Sequence, residues 1–462
     1  MSCANSGASL EKLFYPRSIA VIGASNSVGK LGYNVFKNLL EHDFPGKLYP
    51  VNPGSEYVQG VKAYKDIMDI PGEIDEAVII IPAKNTAEAV RKCCQKGVKF
   101  IVNEAAGYSE VGAEGLVLEK EILTALKESG VRMIGPNCSG LINTHHGMVQ
   151  SLGVVGRLTK GNIGLVAQAG VYAAGLLWGF SRTQGFGIIA TVGNKLDLNE
   201  TDILGYLGTD DNIDVIAMYL EDIKAGRRFV DVAREITKKK PVIVLKGGRT
   251  AVGRKTAASH TASIAGSYEV YSAAFRQSGV IQASSYRDMF NLTKAFSKQP
   301  LPKGPGTLII TYTGAMGVTA TDTCYENGIR LAGLSETSIE RLKTIIPSYV
   351  TAKNPVDLTF DQTPEQLADV ISACIADEDV SGVVAVTQAE MTDAYAEAAS
   401  GIDMHGKPLL FSIPARNFAI EPVIQLEAAG FPVYDAPETA VRMMADMYRF
   451  YAHSHPMEEA VL

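Results

Sequence analysis

The stretch Ser259-His260-Thr261-Ala262-Ser263-Ile264-Ala265-Gly266-Ser267 sets one of the seven histidines among small and hydroxylated side chains. It follows an apolar run, Pro241-Val242-Ile243-Val244-Leu245, and a glycine-rich turn, Lys246-Gly247-Gly248-Arg249-Thr250. An imidazole in such surroundings is a candidate nucleophile toward phosphorus. Small neighbours let a phosphate come close to the backbone, and hydroxyls with a following helix N-terminus supply donors for its oxygens. The pattern predicts a loop around His260, able to move. One strand earlier, Ala217-Met218-Tyr219-Leu220 ends abruptly in Glu221 and Asp222. Neighbouring parallel strands end on the same edge of a sheet, so Glu221 is expected to face His260. There a carboxylate would hold one imidazole nitrogen, fix the tautomer and support positive charge on the ring. The plainer reading of the two acids is a solvated strand end.

These residues need a scaffold, and the chain has room for one. Its 462 residues, 46% hydrophobic and 20% charged, fit a compact α/β protein of about three units. Apolar runs and helical patterns alternate throughout, which predicts doubly wound parallel sheets with ligands outside the carboxyl ends of the strands. The first unit, residues 1–145, opens with Ser18 to Ile22 and the turn Gly23-Ala24-Ser25-Asn26, then a helix near 31–42. Later strand ends carry Val51-Asn52-Pro53, Ile81-Pro82-Ala83, Glu104 to Tyr108, and Gly135-Pro136-Asn137-Cys138. Together they outline a nucleotide-shaped crevice on one edge. Gly23 stands alone, since Gly29 and Gly32 come too late for the dinucleotide fingerprint, and no acid is placed for a nicotinamide ribose.

The second unit, 146–300, opens with Ile163 to Val166 and the turn Ala167-Gln168-Ala169-Gly170, which begins a helix and so offers amides to an anion. A further strand ends at Gly193-Asn194. Ser297 to Pro305 is rich in proline and glycine and marks the next boundary. The third unit, 301–462, repeats the opening: Thr307 to Thr311 leads into Tyr312-Thr313-Gly314-Ala315-Met316-Gly317.

Other classes are disfavoured. The net charge of −7 gives no basic field for nucleic acid. No apolar stretch approaches the roughly 18 residues of a membrane span, and Met1 to Ser6 has no leader pattern, so a cytoplasmic protein is expected. The six cysteines show neither zinc spacing nor a disulfide framework, and no motif argues for a protein-bound metal.

In order along the chain, Phe14-Tyr15-Pro16, Ser18 to Ser25, Val51-Asn52-Pro53, Gly135 to Cys138, Val192-Gly193-Asn194-Lys195, Lys246 to Arg249, Ser259-His260-Thr261 and Asn354-Pro355-Val356-Asp357 form a specific series. Essentially the whole chain resembles the alpha subunit of ADP-forming acyl-CoA synthetases, the acetate-CoA ligases of the succinyl-CoA synthetase superfamily. The resemblance implies a Rossmann-type CoA-binding domain followed by two flavodoxin-like ligase domains. It implies reversible conversion of acyl-CoA, phosphate and ADP to a carboxylic acid, CoA and ATP, through an acyl phosphate and a phosphohistidine. His260 would be the phosphorylated residue and Glu221 its partner. CoA would take the loops Gly23 to Asn26, Val51 to Pro53, Ile81 to Ala83 and Asn137. Phosphate and the acyl group would take Gln168, Ala169, Gly170, Gly193 and Asn194, with Tyr312, Thr313 and Gly314 meeting the Gln168 turn. ADP and Mg²⁺ would belong to an ATP-grasp beta subunit, since no further segment of the chain could be one, in an α2β2 assembly.

The chain departs from the family pattern near the substrate. The usual S-Q-S-G turn reads Ala167-Gln168-Ala169-Gly170, N-A-G-G-P-G reads Tyr312 to Gly317, and the glycine after His-Thr is Ala262. The acyl group is therefore acetyl or another small carboxylate. The rival readings are a non-catalytic acyl-CoA-binding relic, to which Ala169 lends weight, and an NAD-dependent oxidoreductase, which explains neither His260 nor Glu221.

Overall fold

The computed structural model describes residues 10–156, 158–171, 183–261, 266–389, 392–414, 417 and 420–456, and of 257–261, 392 and 393 the backbone alone. They fall into two compact units, Met1–Gln282 and Ala283–Leu462.

The first unit begins with β1 (Ser18–Ile22), β2 (Lys47–Val51), a small hairpin of β3 (Tyr57–Val58) and β4 (Val61–Lys62), then β5 (Glu76–Ile79), β6 (Phe100–Asn103) and β7 (Arg132–Ile134). Five of these make an all-parallel sheet, ordered β2-β1-β5-β6-β7. Every residue of β1, β5 and β6 is buried, as expected of parallel strands covered on both faces. The helix Leu31–Glu41 buries Val35, Phe36 and Leu39 along one stripe. At its first turn Gly32 packs so closely that a Cβ there would lie 2.0 Å from the carbonyl oxygen of Gly23.

The same unit continues through β8 (Leu141–Asn143), β9 (Met148–Val149), β10 (Ile163–Ala167), β11 (Phe186–Thr191), β12 (Val215–Leu220), β13 (Val242–Lys246) and β14 (Ile281–Gln282). The second sheet is ordered β14-β13-β12-β10-β11-β8-β9. It departs from the all-parallel expectation at one edge, where β8 runs antiparallel to β11 and β9 to β8. The short turn between β8 and β9 allows only an antiparallel return, and the pair covers the edge that β11 would otherwise expose. One core joins the two sheets: Ile19, Val78 and Val102 from the first cluster with Val166, Ile188 and Ile216 from the second. From β10 the chain moves to β11 on one side and β12 on the other. This strand-order reversal opens a crevice at the carboxyl edge.

The second unit is built on a parallel sheet of β15 (Gly306–Thr311), β16 (Arg330–Leu331), β17 (Val356–Asp357), β18 (Gly382–Val386), β19 (Leu409–Ser412) and β20 (Val433–Tyr434). The helix Tyr286–Lys298 belongs to it. Buried Lys294 reaches Glu427 at 2.6 Å and the Val433 carbonyl at 2.5 Å, and Asp288 pairs with Arg442 at 2.6 Å.

Candidate active site

The turns expected to bind CoA do gather along one edge. Gly23 leaves β1 at φ +99, where an added Cβ would meet the Ile80 carbonyl oxygen at 2.3 Å, so only glycine fits. Asn52 donates to the Ala24 carbonyl at 2.8 Å, and Gln59 to the Ser25 carbonyl at 3.1 Å. The Asn137 amide N–H reaches the Ala105 carbonyl at 2.9 Å, and Thr86 holds the Ala83 carbonyl at 2.7 Å. Two expected contacts are spent within the protein. The Asn26 side chain bonds Tyr57 and Gln59 of the hairpin, both at 2.8 Å, and Val51 is buried in the core rather than facing a crevice. Pro53 and Pro82 are exposed, and Ile81 and Ala83 are half-buried.

The end of β11 packs against this edge. Gly193, at φ +53, lies where a Cβ would be 2.2 Å from the Pro136 carbonyl oxygen. Asn194 donates through Nδ2 to the Glu110 carboxylate at 2.7 Å. Gly193 and Asn194 therefore join the two sheets of the unit, a tie that strand-by-strand reading could not show. Beside them, Cys138 is buried and its thiol is pushed up to about 12 by burial. Glu104 is buried with neither carboxyl oxygen hydrogen-bonded among the described residues, and burial pushes it up to about 8.

Glu221 and Asp222 sit where β12 ends. Leu220 is paired with Lys246, so Glu221 and Gly247 leave the sheet side by side, and the Glu221 side chain lies 3.5 Å from where a Gly247 Cβ would stand. The Tyr219 hydroxyl donates to Glu221 Oε1 at 3.2 Å. Glu221 is only 6% exposed, which rejects the solvated strand end. Gln168, expected to face phosphate, turns its side chain to this corner instead. Its Oε1 accepts from the backbone N–H groups of Glu221 at 2.8 Å and Asp222 at 3.2 Å, and its Nε2 donates to Asp222 Oδ1 at 2.7 Å. Ala169 and Gly170 follow it, half-buried, and a Cβ on Gly170 would fall 1.8 Å from the Ser139 hydroxyl.

Two buried lysines were not singled out by sequence reasoning. Lys195 Nζ lies 2.5 Å from Asp222 Oδ1 and 3.0 Å from Glu200 Oε2. Burial works against the Asp222 charge, yet the Lys195 ammonium beside it holds the carboxyl below its usual range. Lys246 Nζ donates to the carbonyls of Glu221 at 2.6 Å and Gly247 at 2.5 Å and stands 4.5 Å from the Tyr271 ring centre. Burial lowers it to about 8 despite Asp222 and Glu221 nearby. The available signal was position: Lys246 closes an apolar strand run and Lys195 follows another by four residues, where a surface cation has no reason to be.

The expected His260 loop is a helix through that residue, Ala251–Thr261, with Ala262 to Ala265 and the His260 side chain outside what is described. Thr250 caps it, its hydroxyl accepting from the Gly253 N–H at 3.0 Å, and the alanines and long-chain cations that follow are good helix formers. In the second unit, Thr313 precedes the helix Gly314–Glu326, and its N–H bonds the Thr311 hydroxyl at 3.1 Å. A cavity of about 560 Å³ lies there, lined by Gly314, Val318, Tyr349, Lys353 and Asp357 among others. The Tyr312 ring meets Phe360 edge-on at 5.6 Å.

Three doubly wound sheets with small-residue turns at their carboxyl edges match three family models in order. These are a CoA binding domain over residues 17–144, a succinyl-CoA ligase like flavodoxin domain over 160–296, and a ligase-CoA domain over 307–395. The class is therefore a CoA ligase of the succinyl-CoA ligase type. The chain is 41% identical over 439 residues to the acetate–CoA ligase (ADP-forming) II subunit alpha of Pyrococcus furiosus, covering 93% of this chain and 95% of that one. It is 34% identical to the 4-hydroxybutyrate–CoA ligase (ADP-forming) of Nitrosopumilus maritimus, covering 94% of this chain and 63% of that longer one. Among solved structures, the dinucleotide-forming acetyl-coenzyme A synthetase 1 of Ca. Korarchaeum cryptofilum, in complex with phosphate and ADP, superposes with a TM-score of 0.90 at 33% identity over 96% of this chain and 97% of that one. The chain belongs to the ADP-forming acyl-CoA synthetases, as an alpha subunit, and is a ligase. No described helix is long and apolar enough to cross a membrane.

Proposed function

We propose that this chain carries the CoA site and the phosphoryl-carrying histidine of a two-subunit ligase. Phosphate oxygen attacks the thioester carbonyl, the carbon–sulfur bond breaks, and acyl phosphate and CoA result. His260 nitrogen then attacks phosphorus and releases the carboxylate, and the phosphohistidine passes its phosphoryl group to ADP. CoA lies along the β1, β2 and β5 turns, and the backbone amides at Ala169 and Gly170 receive phosphate. The observation that carries the reading is the pairing of Leu220 with Lys246. It sets Glu221 beside the Gly247-Gly248 turn, from which the His260 helix starts. Glu221 orients the imidazole and offsets the positive charge that develops on it.

ADP and Mg²⁺ belong to an ATP-grasp beta subunit in an α2β2 assembly, a reading supported by the subunit name of the Pyrococcus relative and the greater length of the Nitrosopumilus one. We divide the chain into a CoA-binding domain, 1–145, and two ligase domains, 146–300 and 301–462, in keeping with the matched segments, although the helix Tyr286–Lys298 packs with the last of the three. The CoA and nucleotides it would use are cytoplasmic, and so is its working place. The acid is a small carboxylate, for the named relatives act on acetate and on 4-hydroxybutyrate.

The test is incubation with labelled ATP, Mg²⁺ and the beta partner. An acid-labile, base-stable phosphoprotein is expected, and full labelling of His260→Asn would overturn the assignment.

A further inference from the structure

All four backbone polar groups of the Glu221–Asp222 pair are held by side chains. Gln168 Oε1 takes both N–H groups, at 2.8 and 3.2 Å. Lys246 Nζ, from the end of β13, takes the Glu221 carbonyl at 2.6 Å. Lys195 Nζ, from just beyond β11, takes the Asp222 carbonyl at 2.9 Å. Gln168, Lys195 and Lys246 are each 4% exposed. Three strand ends thus send a side chain inward to grip one dipeptide, and they also grip one another. Lys195 donates to Gln168 Oε1 at 3.2 Å, and Gln168 donates to Asp222 Oδ1 at 2.7 Å.

A strand end whose carboxylate only faced solvent needs none of this. Burying two ammonium groups is costly unless each finds several partners, and here half of those partners lie on the residue pair that presents Glu221. The backbone of Glu221 is therefore pinned on both sides, and its side chain has few conformers in which to leave the site. A catalytic group must be held within a fraction of an ångström to be effective.

We infer that Lys195, Lys246 and Gln168 are positioning residues that act on the reaction through Glu221. They touch no reacting atom, and the Gln168 side chain is not a phosphate ligand. This rests on the reading of Glu221 as the partner of His260.

A double-mutant cycle tests it in the two-subunit enzyme. Lys195→Met and Lys246→Met are each expected to slow phosphorylation of His260 from labelled ATP by about tenfold or more. The KM for CoA should stay within about twofold of the parent. In a Glu221→Gln background neither should slow the reaction further, because the group they position is already gone. If the lysine effects multiply with that of Glu221→Gln, or if the KM for CoA rises as much as the rate falls, the residues merely support the fold and the inference is overturned. A wild-type rate in Glu221→Gln alone would overturn the reading of Glu221, and this inference with it. Lys195→Met removes the buried cation that Glu200 and Asp222 share. Should it fail to fold, Lys246→Met and Gln168→Met decide the matter by the same cycle.

Discussion

The Lys195 ammonium meets the Asp222 carboxylate at 2.5 Å, with side-chain exposures of 0% and 8%. The same carboxylate has a second cation, Lys224, at 3.8 Å with its side chain 45% exposed. The two pairs share an anion and differ in burial, which separates their worth. Asp222→Asn removes one partner of a buried pair and should cost about 3 kcal/mol, with a clear fall in denaturant midpoint. Lys224→Ala should cost less than about 1 kcal/mol. Equal midpoints for the two variants would show that water reaches the Lys195 pair.

The contact of Gly32 with Gly23 makes a second prediction. A methyl group at position 32 would stand 2.0 Å from a backbone oxygen, which cannot swing aside. Gly32→Ala should therefore push the start of the helix Leu31–Glu41 off the β1 turn. Displacement of this size at a binding loop is expected to raise the KM for CoA by about tenfold. Labelling of His260 from ATP, which needs no CoA, should be nearly unchanged. An unaltered KM would mean that CoA does not use this turn.

How much of this was legible in the sequence follows from what each residue contacts. The strand-end turns at Gly23, Val51 and Gly135 were readable because a buried parallel strand is a run of apolar residues and its exit is a small-residue turn. The side-chain duties at those turns were not. Gln168 reaches Asp222 across 54 positions and Asn194 reaches Glu110 across 84, and no local pattern reports either. The loop expected at His260 is a helix because hydroxyls and small residues were read as turn formers. Ala251, Ala257 and Ala258 serve a helix equally well. The β8–β9 pair was too short to carry a period.

The buried Glu104 gives a prediction in pH. Its carboxyl stands near 8 in the folded chain, raised by burial, against about 4.3 when unfolded. Between those values the folded state holds the proton and the unfolded state does not. Stability from this group is thus complete below about pH 4 and is lost as pH rises toward 8. Glu76 is raised well above its usual range for the same reason and adds in the same sense. Glu104→Gln should gain stability relative to the parent steadily from pH 5 to pH 8. A constant difference across that range, read from thermal midpoints, would mean that Glu104 is charged in the fold.

The last prediction concerns the hydroxyl missing at Ala169. Ala169-Gly170 has no hydroxyl of its own, yet the Ser139 hydroxyl lies against it, so close that a Gly170 Cβ would fall 1.8 Å away. A hydroxyl from the neighbouring sheet edge then stands beside the proposed phosphate turn, and a hydrogen bond to a charged group contributes about 1.5–3 kcal/mol. Ser139→Ala should accordingly raise the KM for phosphate, measured in the direction of acyl-CoA cleavage, by about tenfold or more. Ala169→Ser in that background should recover most of the loss, because it returns a donor to the same turn. In the parent chain Ala169→Ser adds a second donor near the acyl group and should shift the ratio of activities among small acids by about tenfold. A phosphate KM untouched by Ser139→Ala, together with an acid profile untouched by Ala169→Ser, would place the reacting groups away from this turn.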